Sequence, residues 1–256
     1  MYRFFTSLRK SIFILIYSLK FLRPIEWLTF WLATKDEYIV VLGNLKIGIR
    51  ANNLKTKAVD LYMTVSCILW KQYDQEDQTP TGMVIDIGAH IGSFSVYAGR
   101  FAERVISFEP DPANYKRLLR NIELNGCTNV VPVNKGVAGS SGSKILFENK
   151  SNSAGHSMLH KSDGLGKTVP CLDLKDIFES ENISVCNLMK LDCEGAEFDI
   201  LMNTPQNIIE KIKLISMEYH RGYDLSKLLN FLTKSGFEII KNERENYYQG
   251  MIWAKR

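Results

Sequence analysis

Residues 84–95, VIDIGAHIGSFS, read as a buried strand that runs through a glycine-containing turn into a helix. Apolar residues form the strand, and those beyond the turn recur with helical spacing. Gly88 and Gly92 allow the backbone to come close to a ligand, and the free N–H groups at the start of the helix then face that ligand. The stretch therefore predicts a nucleotide-type cofactor site.

Two acidic residues narrow the choice of cofactor. Asp86 ends the strand just before the turn, where it repels a pyrophosphate and favours a cationic ligand. Glu109 ends the next predicted strand, the position at which doubly wound folds hold the hydroxyls of a ribose. A NAD site would show G-x-G-x-x-G, whereas this chain has Gly88-Ala-His-Ile-Gly92. The combination predicts S-adenosylmethionine as the cofactor.

The predicted cofactor contacts extend around the turn and the neighbouring strand ends. They are Asp86, Gly88, Ala89, His90, Gly92, Ser93, Glu109, Pro110, Asn134 and Asp192. For His90, a contact through the backbone is favoured over a catalytic role.

Four strings further along the chain carry a family resemblance. In order they are DIGAHIGSFS (86–95), ISFEPDPANYKRLLRNIELNG (106–126), VPCLDL (169–174) and LMKLDCEGAEFDIL (188–201). Together they resemble the FkbM-type S-adenosylmethionine-dependent methyltransferases, over about Met83 to Phe237. Known members of this family methylate hydroxyl oxygens on sugars and natural products, so the resemblance implies an O-methyltransferase.

From Met83 onward, strands and helices alternate as a parallel sheet requires. Strands are predicted near Met83–Ile87, Arg104–Phe108, Val130–Asn134, Asn187–Leu191, Leu214–Tyr219, Glu238–Lys241 and Tyr248–Trp253. The seventh follows the sixth without a helix, which predicts one antiparallel strand. The predicted fold is α/β, a Rossmann-like seven-stranded methyltransferase sheet. Between the third and fourth strands, Gly139–Lys167 is predicted as a long binding loop with an edge strand at Lys144–Glu148.

The predicted domain organisation has three parts. Residues 1–36 form an N-terminal amphipathic helical segment, residues 37–80 a cap, and residues 81–256 the methyltransferase domain.

The cap is predicted to combine a hairpin with a helix. Strands at Tyr38–Leu42 and Leu45–Arg50 flank Gly43-Asn44, a two-residue hairpin signal. A helix is predicted over Asn53–Tyr73, and Gln72–Thr81 is interpreted as a polar linker.

Residues 1–23 have apolar side chains at helical spacing with basic residues beside them. The uninterrupted apolar run Ile12–Tyr17 is far below the ~18 residues of a spanning helix. Packing on the catalytic domain or on a second subunit of a homo-oligomer is favoured. The alternatives are a helix lying on the membrane surface, and a signal peptide that lacks a cleavage site.

Composition supports one large domain. The chain has 256 residues, and its net charge of +4 gives little support for a nucleic-acid partner. The five cysteines are odd in number and form no C-x-x-C pair, which indicates neither a disulfide framework nor a zinc site. A reducing compartment follows, so a cytoplasmic protein is predicted, with peripheral membrane contact as the alternative.

Catalytic groups are expected where the parallel strands end. The candidates are Asp192 and Glu194 after the fourth strand and Glu218 and His220 at the fifth. Methyl transfer to an alcohol needs in-line placement and a base for the hydroxyl proton. Asp192 is the favoured base, because it is expected near a helix N-terminus that stabilises an anion.

Other groups near this edge leave alternatives open. His220 could act as a base if its imidazole is neutral, or could only bond a loop carbonyl. Glu197 is expected to be a first-turn helix acid. His156 and His160 in the long loop could touch the acceptor.

Asp192, Glu194 and Glu218 could instead bind a divalent metal such as Mg²⁺, although a metal-free base is favoured. The predicted function is methylation of a hydroxyl on a saccharide, glycolipid or small natural product. Alternatives are methylation of nitrogen or of a macromolecule, a nucleotide-binding oxidoreductase, and a non-catalytic binding protein.

Overall fold

The structure is a computed structural model that describes residues 36–50, 54–74, 79–149, 153–158, 166–220, 224–246 and 249–256. The predicted helix at residues 1–23 and His160 lie outside these described residues. Among the residues that are described, no helix has the length and apolar character needed to cross a bilayer.

The described secondary structure follows the alternation that the sequence predicts. The strands are β1 (Glu37–Leu42), β2 (Leu45–Arg50), β3 (Gly82–Ile87), β4 (Ala102–Phe108), β5 (Val130–Val133), β6 (Gly136–Val137), β7 (Gly142–Phe147), β8 (Gly166–Leu172), β9 (Leu188–Leu191), β10 (Leu214–Tyr219), β11 (Glu238–Asn246) and β12 (Gln249–Lys255). The helices are α1 (Leu54–Ile68), α2 (Ser93–Ala98), α3 (Pro112–Asn125), α4 (Leu174–Ser180), α5 (Glu197–Asn203), α6 (Gln206–Ile209) and α7 (Leu225–Lys234).

A seven-stranded sheet with the order β11-β12-β10-β9-β3-β4-β5 forms the centre of the molecule. Strand β12 runs antiparallel to both of its neighbours, β10 and β11, whereas the pairs from β10 to β5 are parallel. The predicted fold class and its single antiparallel strand are confirmed. Because β3 pairs with both β4 and β9, the strand order reverses at β3, and open α/β sheets bind ligands at such a point.

The cap shares its core with this sheet. Val40 and Ile47 of the β1–β2 hairpin and Val65 of α1 pack in one buried cluster with Val84 and Val105 of the sheet. The predicted hairpin is confirmed, with Gly43 at a φ of 60° in its turn. Successive strand residues point to opposite faces, so the neighbouring residues of β3 and β4 pack on the other side of the sheet.

The end of α1 differs from the prediction. The helix stops at Ile68 rather than Tyr73, and a turn follows in which Lys71 has a φ of 51°. Tyr73, predicted to lie in a polar linker, is only 1% exposed, and its ring packs edge-on against Phe94 at a centroid distance of 5.5 Å. The burial of Tyr73 was not predicted, because the residues that follow it in sequence are polar.

The segment predicted as a long loop contains part of a second sheet, with the order β6-β8-β7. The predicted edge strand at Lys144–Glu148 is confirmed as β7, which pairs antiparallel with β8. Strand β8 was missed. It contains Pro170, and a proline within a strand-like run of residues argues against a strand there, unless the strand lies at the edge of a sheet.

Candidate functional site

The turn after β3 has the backbone geometry that only glycine adopts easily. Gly88 and Gly92 have φ values of 77° and 87°. A Cβ atom added to Gly88 would lie 1.8 Å from the carbonyl oxygen of Asp192, so this position has no room for a side chain. The N–H groups of Gly88 and Ala89 both donate to the carbonyl of Phe108 at 3.0 and 2.9 Å. These bonds hold the turn against the end of β4.

Glu109 lies beside this turn at the end of β4, where the sequence predicts the ribose acid. It is 5% exposed, and its carboxylate accepts the backbone N–H groups of His90 at 2.8 Å and Asp111 at 2.9 Å. Burial raises the pKa of Glu109 to about 7, although these hydrogen bonds oppose the shift. The carboxyl group therefore titrates near neutral pH.

A cleft of about 560 Å³, a volume that includes open solvent, runs along this edge of the sheet. Residues from the predicted site that line it are Gly88, His90, Glu109, Pro110, His156, Asp192 and Glu194. The predicted contacts Asp86, Ala89, Gly92, Ser93 and Asn134 are described in the structure but are not among the lining residues.

Asp86 lies behind the turn rather than facing the cleft. Its fully buried carboxylate accepts the Ser95 hydroxyl at 2.5 Å and forms an ion pair with the Lys190 ammonium at 3.0 Å. The Lys190 ammonium also donates to the carbonyl of Gly88 at 2.7 Å. Asp86 was expected to hold a cationic cofactor, whereas in this structure its carboxylate pairs with Lys190, which also links it to the turn.

Lys190 is a site residue that the sequence reasoning missed. Its position inside the otherwise apolar run LMKL of a buried strand was the available signal. Burial alone would lower its pKa, but the carboxylates of Asp86 and Asp192 outweigh burial and raise it. Lys190 is thus a buried cation that joins β3 and β9.

The acids and the imidazole at the ends of β9 and β10 converge as the sequence predicts. Ligand atoms of Asp192, Glu218 and His220 all lie within 4.8 Å of one another. The His220 Nε2 atom is 3.6 Å from Glu218 and 3.7 Å from Glu194. This cluster, hereafter the acidic cluster, consists of Asp192, Glu194, Glu218 and His220.

The protonation of His220 differs from the expected neutral imidazole. Burial would lower its pKa, but three neighbouring carboxylates, that of Glu197 first, raise the pKa well above its usual value. Burial, followed by the charge of Asp192, raises the pKa of Glu218 to about 8. At neutral pH, His220 is a charged imidazolium and is not available as a base.

Asp192 has a different partner from the one predicted. Helix α5 begins at Glu197, five residues after Asp192, and no hydrogen bond between Asp192 and its first turn is found among the described residues. Instead, the Tyr73 hydroxyl donates to Asp192 Oδ2 at 2.6 Å. Burial raises the pKa of Tyr73 well above its usual value, so the hydroxyl stays protonated and acts as a donor.

Glu197 has the structural role that was favoured for it. It is fully buried and accepts the backbone N–H groups of Cys193 at 2.9 Å and Gly195 at 3.0 Å. Its Oε1 atom is also 3.1 Å from His220 Nδ1. Glu197 therefore shapes the turn that carries Asp192.

A second polar network, which the sequence analysis did not predict, joins the cap to the part of the cleft that His90 and Asn114 line. Arg50 pairs with the fully buried Asp60 at 2.6 Å and donates to Asn114 Oδ1 at 2.6 Å. Its guanidinium lies 2.9 Å from His90 Nε2. Because burial lowers the pKa of His90 to about 3, this imidazole is neutral and accepts the hydrogen bond.

Comparisons with known proteins agree with this geometry. The sequence model of the Methyltransferase FkbM domain matches residues 86–239. Hexuronic acid methyltransferase AglP of Haloferax volcanii is 27% identical over 172 residues, covering 66% of this chain and 70% of that protein. Methyltransferase 1 of Beauveria bassiana is 27% identical over 194 residues, covering 66% of this chain and 77% of that protein.

A solved structure shares the fold. Methyltransferase FkbM from Methylobacillus flagellatus superimposes with a TM-score of 0.51 and 18% identity, over 74% of this chain and 47% of that chain. This chain thus spans about half the length of that solved protein. Since the family match covers more than half of the sequence, the chain belongs to the FkbM methyltransferase family.

Proposed function

We propose that the protein transfers a methyl group from S-adenosylmethionine to a hydroxyl of a saccharide, glycolipid or small natural product. The observation that carries this proposal is the cleft at the end of β3. Gly88 and Glu109, the proposed cofactor contacts, line this cleft together with Asp192 of the acidic cluster. A nucleotide-binding oxidoreductase, one of the alternatives from the sequence, does not agree with membership of a methyltransferase family.

The residues on the cofactor side fit S-adenosylmethionine. Glu109 offers a buried carboxylate to the ribose hydroxyls, and the turn at Gly88 lets the backbone approach the methionine part without a side chain between them. When bound, S-adenosylmethionine supplies a methyl group on a positively charged sulfur. His90 contributes its backbone to this arrangement by donating to Glu109.

Asp192 is the proposed base. With S-adenosylmethionine bound, the Asp192 carboxylate would take up the proton of the acceptor hydroxyl, and the cofactor would supply the methyl group to that oxygen. Such a base contributes roughly 10²- to 10⁴-fold in rate, and orienting the two reactants contributes ~7 to 11 kcal/mol. Glu218 lies within 4.8 Å of Asp192 and Glu194 lines the same cleft, whereas His220 carries a proton already.

The saccharide acceptor is supported by a relative whose name describes a hexuronic acid methyltransferase. Tritiated methyl transfer from S-adenosylmethionine into methyl hexosides, glucuronic acid and an amine-bearing acceptor tests this proposal. Label recovered as a methyl ether supports it. Label found only on nitrogen would favour the alternative of an N-methyltransferase.

Replacing Glu109 by alanine should weaken S-adenosylhomocysteine binding by about tenfold to a hundredfold, because a charge-assisted hydrogen bond contributes roughly 1.5 to 3 kcal/mol. Isothermal titration calorimetry measures this change. Glu123→Ala, at an exposed position of α3, is the matched control. An unchanged dissociation constant in the Glu109 variant would contradict the assignment.

Because the pKa of Glu109 is raised, the affinity measured in the same experiment should depend on pH. The ionised carboxylate accepts ribose hydroxyls best, so the affinity of the wild-type protein should rise through its pKa of about 7. Between about pH 6 and pH 8 the gain should approach tenfold. Glu109→Gln should remove this dependence, since its amide does not titrate in that range.

A divalent metal remains the alternative to a plain base, because two carboxylates and an imidazole converge in the acidic cluster. We expect turnover to survive exhaustive chelation with EDTA. Complete loss of activity that Mg²⁺ restores would overturn the metal-free mechanism and assign the cluster as its ligand set.

A further inference from the structure

Two adjacent residues of the turn after α1 contact the acidic cluster. Gln72 Nε2 donates to Glu218 Oε2 at 3.2 Å, and the Tyr73 hydroxyl donates to Asp192 Oδ2 at 2.6 Å. Both residues precede residues 86–239, the segment that matches the family domain. The cap therefore supplies hydrogen-bond donors to the carboxylate that follows β9 and to a carboxylate near the end of β10.

This turn is fixed by its own hydrogen bonds. The N–H of Gln72 donates to the carbonyl of Ser66 at 3.1 Å, and that of Asp74 donates to Lys71 at 2.9 Å. The hydroxyl of Tyr97 donates to the Asp74 carboxylate. The Tyr73 ring is held by these anchors and by its packing, so its hydroxyl is already in place to meet Asp192.

We propose that Tyr73 is a positioning residue that aims the Asp192 carboxylate at the site of methyl transfer. The hydroxyl holds Oδ2 and leaves Oδ1 to receive the proton of the acceptor. This inference rests on the proposed function, in which Asp192 is the base. A carboxylate without this donor is free to turn toward Lys190 or His220, which are the neighbouring cations.

Tyr73→Phe isolates the hydroxyl. The phenylalanine ring keeps the packing against Phe94 and the position near the Lys190 ammonium, which lies 5.1 Å from the ring centroid. Tyr115→Phe is the matched control, since it removes another tyrosine hydroxyl, which donates to the carbonyl of Pro132 and does not contact the acidic cluster or the turn that carries Tyr73.

Sinefungin provides a probe that needs no acceptor. In this analogue an amine-bearing carbon replaces the methyl-bearing sulfur, so its ammonium occupies the position from which the methyl group departs. A carboxylate aimed at that position should favour sinefungin over S-adenosylhomocysteine. The ratio of the two dissociation constants, measured by isothermal titration calorimetry, therefore reports the placement of Asp192.

We expect Tyr73→Phe to lower the preference for sinefungin by about tenfold while S-adenosylhomocysteine binds as before. Asp192→Asn should lower the preference at least as much, and adding Tyr73→Phe to it should cause no further loss, because the hydroxyl acts through Asp192. Tyr115→Phe should leave the ratio unchanged.

Several results would overturn the inference. The first is a wild-type protein without a preference for sinefungin, and the second is an unchanged ratio in Tyr73→Phe. The others are an equal loss in Tyr115→Phe, and a further loss from Tyr73→Phe when Asp192 is already Asn. The proposed function is judged separately. A protein that does not bind S-adenosylhomocysteine would refute both proposals, whereas normal binding with an unchanged ratio refutes only the role of Tyr73.

Discussion

Replacing Lys190 by methionine should lower the free energy of unfolding by about 3 to 5 kcal/mol, as measured by urea denaturation. The methionine side chain is of similar length but removes the ammonium that pairs with Asp86 at 3.0 Å. Asp86 is fully buried and would keep only the Ser95 hydroxyl among the two partners identified for it. A buried carboxylate without its cation is costly, whichever protonation state it adopts.

A double variant tests this explanation. Adding Asp86→Asn removes the unpaired charge and should recover part of the loss. A single variant within about 1 kcal/mol of the wild type would show that the ion pair is not a main support of the turn.

Replacing Asp192 by asparagine should reduce turnover on the order of a hundredfold or more, while S-adenosylhomocysteine affinity changes little. Asparagine has nearly the same shape and can still accept the Tyr73 hydrogen bond, but it cannot take up the proton of the acceptor. Radiolabelled methyl transfer measures turnover, and calorimetry measures cofactor affinity.

Two further variants test whether the loss of turnover is specific to Asp192. Asp173→Asn introduces the same chemical change at the N-cap of α4 and should leave turnover unchanged. Glu194→Gln tests the other cleft-lining carboxylate that was predicted to take part in catalysis. If Glu194→Gln abolishes turnover while Asp192→Asn retains it, then the roles of these two acids must be exchanged.

Several features were already encoded in local sequence patterns. Alternating apolar runs predicted the strands of the central sheet, and the short connection before β12 predicted its antiparallel direction. The same rule that brings parallel strand ends to one edge predicted that Asp192, Glu218 and His220 would converge. These inferences needed only periodicity and chain order.

The charge states at the site depended on contacts between segments far apart in sequence. Asp86 was expected to favour a cationic ligand, and the cation that pairs with it in the structure is Lys190, more than a hundred residues later. His220 was considered as a neutral base, yet its neighbouring carboxylates hold it protonated. Such shifts arise from burial and from distances of a few ångströms, which one-dimensional spacing does not contain.

Periodicity, glycine positions and motif order were enough to predict the sheet, the glycine turn and the family. Which polar groups meet across the cap, the turn and the strand ends became visible only in the folded molecule. Tyr73 illustrates the difference, since its neighbours in sequence are polar while its partners Phe94 and Asp192 come from the folded core. A side chain that is buried through long-range packing leaves no periodic signal, and its role becomes visible only when the chain has folded.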